Sequence, residues 1–336
     1  MDTLTHMVLG ACLGEVIAGK QLGKKAMLWG ALANNIPDVD VVSSLWLNQV
    51  DSMLAHRGIT HSIVFAVIFS PVLAITFKNF FAKEEITFLR CVLLFGSGLF
   101  LHIFIDAFTV YGTGWFEPFS HNRISFNTLF IIDPLFSLPM IIAVIIGITM
   151  GMDSTKRNKC LKAGLIISSI YFVATICNKY FVDRTIDKNL NSQHITYTNY
   201  MSTPTALNNF LWYIIVNSGT KFYIGYYSVF DKKPLIDFEI VNKNDSLFHE
   251  LKDAKNTSEL IKFSKGYYCL AKKNDSILFN DMRFDRDGGW FRKQASFELS
   301  FNLQNIDNNT MTLQRGRFKA FNPESITKLF ERIRGN

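Results

Sequence analysis

The hydrophobic pattern changes character near residue 181. Before it, apolar residues come in long runs; after it, they come in short stretches broken by polar residues and turns. Residues 134–152 are 19 positions without a formal charge, enough to cross a hydrocarbon core about 30 Å thick at about 1.5 Å per helical residue. Residues 163–178 give 16 uncharged positions between Lys162 and Lys179, whose long stems can carry their ammonium groups to the headgroups. Residues 62–77 and 91–105 are of the same kind, the second interrupted by His102 and stopped by Asp106. These four runs predict four spans. Two further stretches, 7–19 and 26–47, are weaker: one carries Glu15, the other Asn34, Asn35, Pro37, Asp38 and Asp40. They are expected to form a helical hairpin, in part re-entrant, packed on protein rather than lipid. Residues 1–181 therefore read as a membrane α-helical domain of about six hydrophobic helices, four of them clear spans.

From residue 182 the pattern is that of a soluble α+β domain, 182–336. Alternating or aromatic stretches at 194–200, 210–216, 222–230, 235–241, 267–272, 277–280, 295–302 and 311–314 predict strands, with turn signals at Asn217-Ser-Gly-Thr220 and Lys273-Asn-Asp275. Several hairpins imply an antiparallel sheet. A helix is expected over 247–263, and another over 323–334, begun by proline in its first turn. Asp281, Arg283, Asp285 and Arg286 read as a solvated charged turn, and the Trp and Tyr residues of the strands as core.

Composition sharpens this division. The chain is 49% hydrophobic and 19% charged, against roughly 25% charged in an ordinary soluble protein. Residues 1–181 hold 13 Lys and Arg and 11 Asp and Glu, leaving 22 and 17 for the rest. A single soluble globule and a disordered chain are both excluded. If the spans alternate, Lys20, Lys24, Lys25, Lys78, Lys83, Arg90, Lys156, Arg157, Lys159 and Lys162 fall on one side; Arg57, Arg123 and Lys179 fall on the other. Such a bias marks the first side as cytoplasmic. The expected location is a bacterial inner membrane, multi-pass, with the amino terminus and the domain 182–336 on the periplasmic or extracellular side. No basic n-region precedes the first apolar stretch, so the chain is expected to keep its first residues. The formal charge of +7 divides between topology and the exported domain. It requires no nucleic-acid partner; the expected partner is membrane lipid.

Five of seven histidines precede residue 122: His6, His56, His61, His102 and His121. The topology places all of them, with Asp38, Asp40 and Asp106, at or near one face of the membrane. Imidazole and carboxylate together suit zinc and similar divalent ions. His102 and Asp106 stand at i and i+4 and share a helix face. Asp38 and Asp40 follow Pro37 at a helix break, where one carboxylate can ligate and the other orient a ligand or water. His56 and His61 flank Gly58, and Thr60 or Ser62 can cap the helix that follows. The same residues would equally serve a proton or ion relay in a transporter, since intramembrane ionisable groups mark transport paths as well, or a structural metal in a scaffold.

The ordered set Met-Asp-Thr-Leu-Thr-His6, Pro37-Asp-Val-Asp40, His56-Arg-Gly-Ile-Thr-His-Ser62, His102-x-x-x-Asp106 and Tyr111-Gly-Thr113 resembles the YdjM-type family of inner-membrane-associated, metal-dependent hydrolases, also labelled LexA-binding. That family is in turn similar, in the order of its ligands, to the zinc-dependent phospholipase C and nuclease superfamily. The resemblance implies that Asp38 or Asp40, His61, His102 and Asp106 hold one ion, and that His6 with Asp106 helps hold a second. It thus implies one or two divalent ions, zinc above all. The expected activity is hydrolysis of a phosphoester, phosphodiester or lipid-type substrate by metal-activated water, with Asp38 or Asp40 taking the water's proton. Arg57 is a candidate catalytic residue: it or Arg123 would bind a phosphate oxygen through its planar fork, or else anchor a headgroup.

Overall fold

A computed structural model describes residues 1–47, 49–80, 86–149, 151, 153–250, 254–273, 276–303, 312–315 and 323–335. The chain resolves into two compact units, Met1–Trp46 with Leu54–Ile176 and Ala206–Asn208, and Leu47–Met53 with Cys177–Thr205 and Asn209–Asn336.

The first unit is helical. Asp2 caps α1 (Thr3–Leu22) by accepting from the Thr5 amide at 3.0 Å, and Gly23, at φ 58°, ends it. α2 (Lys25–Asn35) returns at once and stops before Pro37, where the chain tightens into a 3₁₀ segment, Ile36–Leu45. After α3 (Gln49–Ala55), most of which belongs to the second unit, a short 3₁₀ turn, Ile59–His61, leads into α4 (Ile63–Phe80). α5 (Phe88–Asp106) is capped by Thr87, and α6 (Pro134–Thr149) by Asp133, which accepts from the Leu135 and Phe136 amides.

The expected hairpin of the two weaker segments is present. Small residues let its helices touch backbone to backbone: a Cβ on Gly10 or Gly30 would run into the other's carbonyl oxygen, and one on Gly14 into that of Ala26. Gly98 of α5 packs on Ala33, where an added Cβ would crowd the alanine side chain. Glu15, the charge that weakens the first segment, is buried and pairs at 2.9 Å with Arg157 Nε. Breaking such a pair would leave an uncompensated charge.

α4, α5 and α7 (Ser154–Ser192) are long and apolar enough to cross a membrane. α6, in the longest of the four uncharged runs, has 16 helical residues, about 24 Å; Met150 and Met152 lie outside the described residues. α7 is far longer than its apolar stretch. It continues to Ser192 because its polar second half buries Val182, Ile186 and Leu190 against a sheet.

The second unit holds two antiparallel meanders. One is β1 (Asn199–Pro204), β2 (Leu211–Asn217), β3 (Lys221–Ser228) and β4 (Glu239–Asn242); the other is β5 (Tyr268–Lys273), β6 (Ser276–Arg286), β7 (Phe297–Leu303) and β8 (Thr312–Arg315), each in sequential order. The Asn217–Thr220 turn forms as expected, with Gly219 at φ 83°; Asn274 and Asp275 lie outside the described residues. Trp212 and Tyr213 are fully buried. The expected helix over 247–263 is a 3₁₀ segment, Asp245–Glu250, followed by α8 (Ala254–Phe263), and α9 (Pro323–Ile333) begins on its proline. The strand expected at 194–200 starts only at Asn199, because α7 runs to Ser192 and His194 turns the chain at φ 51°.

The solvated charged turn is corrected. Asp281, Arg283 and Arg286 are buried in β6. Asp281 and Arg283, two residues apart and so on one strand face, form a fork pair at 2.9 and 2.6 Å, and Arg286 meets Glu239 at 2.7 Å.

Gly30→Val should separate the α1–α2 hairpin. We expect about 1–3 kcal/mol of destabilisation from overpacking, read as a lowered unfolding midpoint in mixed micelles; an unchanged midpoint would contradict the close approach.

Candidate metal centre

Four chain segments meet at one end of the helical unit. α1 and α4 begin there, and α2 and α5 end there, which places His6, the 3₁₀ segment with Asp38 and Asp40, the His56–Ser62 loop, and His102 with Asp106 side by side.

Four donor atoms form the centre. His61 Nε2 lies 3.1 Å from His102 Nε2, 3.6 Å from Asp38 Oδ1 and 3.6 Å from Asp106 Oδ2; His102 Nε2 lies 3.4 Å from Asp38 Oδ1 and 3.7 Å from Asp106 Oδ2. A tetrahedral zinc with bonds of about 2.0–2.2 Å has ligand-to-ligand edges of about 3.3–3.6 Å. The observed edges cluster around that value.

The histidine tautomers are set for ligation. His102 Nδ1 donates to the backbone carbonyl of Asn34 at 2.5 Å, and a carbonyl can only accept. Thr60 Oγ1 donates to Asp40 Oδ2 at 2.9 Å, so it accepts from His61 Nδ1 at 3.0 Å. Both rings therefore turn an Nε2 lone pair toward the two carboxylates, the outer-shell arrangement that accompanies metal-bound histidine. Two facing lone pairs 3.1 Å apart repel unless a cation or proton lies between them. Asp106 Oδ2 is fully buried; Arg57 Nε faces it at 3.0 Å out of hydrogen-bond alignment, and His61 Nε2 and His102 Nε2 lie 3.6 and 3.7 Å away. The residues present thus fit a divalent ion.

Asp106 is the most heavily used group. Its Oδ1 meets the α-amino group of Met1 and, at 3.1 Å, His6 Nε2; its Oδ2 lies 3.0 Å from Arg57 Nε. His6 stacks on His102 with ring centroids 3.7 Å apart. It stands beside the four-donor set, on the other oxygen of Asp106, and its Nδ1 is buried without a hydrogen bond among the described residues.

Asp40 organises the loop. It accepts from the Arg57 amide at 2.7 Å, from Thr60, and faces His56 Nδ1 at 2.8 Å. Asp38, Asp40 and His56 form a second group with metal-ligand spacing, joined to the first through Asp38. Asp38 is 25% exposed and His56 31%, whereas His61, His102 and Asp106 are completely buried. The centre therefore opens on the Asp38–His56 side. Ser62, not Thr60, caps α4, through the Phe65 amide at 3.0 Å.

Arg57 points inward. Its backbone is left-handed at φ 61°, a conformation that costs a non-glycine residue about 1–2 kcal/mol. It sends the guanidinium to Asp106, to Thr109 Oγ1 at 3.1 Å and to the Met1 carbonyl at 3.4 Å. Arg123 donates to the Leu54 and His56 carbonyls at 2.7 Å each. Both forks are engaged with the protein, so a phosphate would have to compete for them. His121 is exposed and pairs with Glu117, away from the centre.

The sequence marked the ligand types but missed three of their supports. Nothing in it signalled the Met1 amine. Asn34 stood out only as a polar residue in an apolar run, although its carbonyl orients His102 and its side chain donates to the His6 carbonyl at 2.7 Å. Thr60 stood out only as a possible cap.

The model of the YdjM inner membrane protein family matches residues 1–182, more than half of the chain. The chain belongs to that family. It is 25% identical over 307 residues to the uncharacterized protein YfhP of Bacillus subtilis strain 168, an alignment covering 86% of this chain and 88% of that one. It is 29% identical over 122 residues to the inner membrane protein YbcI of Escherichia coli strain K12, covering 36% of this chain and 69% of that one. No solved structure matches. The YdjM match spans every residue of the centre, and with the apolar helices it marks a bacterial inner membrane protein.

Metal analysis of the purified YdjM-family protein should find a bound divalent transition metal that is lost in His61→Ala and in His102→Ala. Thr60→Val should keep the ligands but weaken affinity about 10–100-fold. Equal metal content in all of these would remove the centre.

Affinity should also depend on pH. Burial opposes a charge on His61, but hydrogen bonds to Asp106, Asp38 and Asp40 outweigh it and lift the metal-free imidazole to about 9. A metal must displace that proton. Apparent affinity should therefore rise with pH, by up to about tenfold per unit below about 9, and level off above; competition titrations with a chelator at several pH values would measure it.

Proposed function

We propose that the protein is a membrane-bound, divalent-metal-dependent hydrolase of phosphoesters or phosphodiesters. The observation that carries this reading is the pair of histidines with fixed tautomers, aimed with two carboxylates at one point that is open on one side. A closed set of buried ligands would suit a structural ion; here Asp38 and His56 reach the surface.

A divalent ion held there would polarise a phosphoryl oxygen and make a nearby water more acidic. The chain's own residues supply the rest. Arg57 and the Met1 amine hold the Asp106 carboxylate in place. Asn34 and Thr60 hold the two Nδ1 protons and keep the Nε2 atoms aimed at the centre. Burial pushes the Asp40 carboxyl up, but hydrogen bonds from His56 and His61 outweigh it and hold it below the usual carboxylate range. Asp40 is thereby an orienter rather than a base. His56, held at Nδ1 by Asp40 and partly exposed, takes the water's proton at Nε2 as the water oxygen bonds to phosphorus. It returns that proton to the leaving oxygen as the phosphorus–oxygen ester bond breaks. The basic residues on the opposite side support an opening toward the periplasm or cell exterior.

The test is hydrolysis of bis(p-nitrophenyl) phosphate, which does not cross the membrane. Purified protein and intact spheroplasts should both turn it over with added zinc or manganese, and His56→Ala should lower kcat about 100-fold or more while keeping the metal. Turnover only after the spheroplasts are broken would reverse the orientation. A metal-loaded protein without turnover, or with ion flux in liposomes instead, would remove the hydrolase.

A further inference from the structure

The 3₁₀ segment Ile36–Leu45 has its polarity inside out. Asp38 and Asp40 turn inward to the centre, while Val39, Val41 and Val42 between and after them are exposed. The exposed apolar run continues to Leu45 at 80% and Trp46 at 69%. Ile59, next to Thr60, is exposed as well, and so is Phe119, at 84%, in the loop that follows Gly114. That loop is fastened beside the centre: the Gly114 amide donates to the Arg57 carbonyl at 2.9 Å, and the Ile63 amide to the Trp115 carbonyl at 3.0 Å. Apolar side chains thus surround the side on which Asp38 and His56 are accessible.

In water this arrangement is unfavourable, because monomeric soluble proteins rarely expose contiguous apolar patches larger than a few hundred Å². Its place in the fold says what covers it. The rim lies where α4 begins and α5 ends, both of membrane-spanning length. It continues into the exposed aliphatic face of α4, at Val67, Ile68 and Val72. Tryptophan and apolar side chains at the end of spanning helices sit at the boundary of headgroups and acyl chains.

We propose that this rim seats in the headgroup–acyl boundary of the leaflet at that end of the bundle. The centre then takes its phosphoester from an amphiphile lying in that leaflet, with the acyl chains along the rim and the phosphate over Asp38 and His56. This rests on the hydrolase reading for the reaction and on the exposed rim for the substrate class.

Two measurements on the full-length, metal-loaded protein separate the parts. The first uses phosphatidylglycerol–phosphatidylcholine vesicles carrying lipids brominated near the top of the acyl chain. The emission of Trp46, taken as the difference between wild type and Trp46→Phe, should fall about twofold or more; an unquenched Trp46 would overturn the seating and leave the rim to a protein partner. The second compares a long-chain phosphodiester lipid in vesicles with the same headgroup on a short-chain, monomeric analogue. The long-chain lipid should be preferred, and the combined Leu45→Ser, Trp46→Ser, Phe119→Ser variant should lose about tenfold on it while its short-chain rate stays unchanged. Equal preference, or an equal loss on both, would overturn the substrate class. Turnover of neither with Trp46 quenched would remove the hydrolase and keep the rim in lipid.

Discussion

The carboxylate of Asp106 is the constraint around which the helical unit is arranged. An anion completely buried at the end of a spanning helix costs several kcal/mol unless it is matched. It is matched by Arg57 from the loop before α4 and by the Met1 amine and His6 from the start of α1, while the Nε2 atoms of His61 and His102 face it across the point a cation would take. These groups are separated by up to 105 positions along the chain. Only a particular register of α1, α2, α4 and α5 brings them together. The left-handed turn at Arg57 is part of the same requirement, since it lets the backbone amide serve Asp40 while the side chain serves Asp106. Local strain there is offset by two interactions with buried carboxylates.

Close helix packing is the second requirement. Asn34 can present its carbonyl to His102 and its amide to His6 only because α2 lies against both α1 and α5. Gly10, Gly14, Gly30 and Gly98 provide that approach. Small residues that look like weak packing signals in the sequence are therefore what sets the histidine tautomers, two steps removed. In a bilayer, where lipid is as apolar as leucine, close packing and buried polar contacts hold helices together, and here the two are coupled.

How much was legible follows from which physical signals a sequence carries. Residue chemistry and spacing were enough to find Asp38, Asp40, His56, His61, His102 and Asp106, because ionisable groups in an apolar half stand out. His6 was found as well, but its place on the far oxygen of Asp106 depends on the pitch between α1 and α5, which spacing does not encode. Arg57 was visible and its direction was not: a single positive φ decides whether the guanidinium faces substrate or core. Backbone partners such as the Asn34 carbonyl carry no residue signature at all. In the second unit, charge misled. Asp281, Arg283 and Arg286 looked solvated because burial of charge is rare, yet partners two residues apart on one strand face, and Glu239 on β4, make it tolerable. The length of α7 was hidden for the opposite reason. Its polar second half has no membrane signal, and its helix is stabilised by Val182, Ile186 and Leu190 packing on the sheet that follows it.

The inside-out 3₁₀ segment ties these observations to the solvent. A helix in water turns its carboxylates out and its valines in. Residues 38–42 do the reverse, which is stable only if the cost is met on both faces: cationic or hydrogen-bonding partners on the inner one and an apolar phase on the outer one. The inner condition is satisfied by His56, His61 and Thr60. The outer one points to the bilayer that α4 and α5 already require. Pro37 is what permits the inversion, since it ends α2 and lets the tighter 3₁₀ spacing carry Asp38 and Asp40 inward. The polar centre and its apolar margin are thus two faces of a single short segment, and a substrate that reaches one has to pass the other.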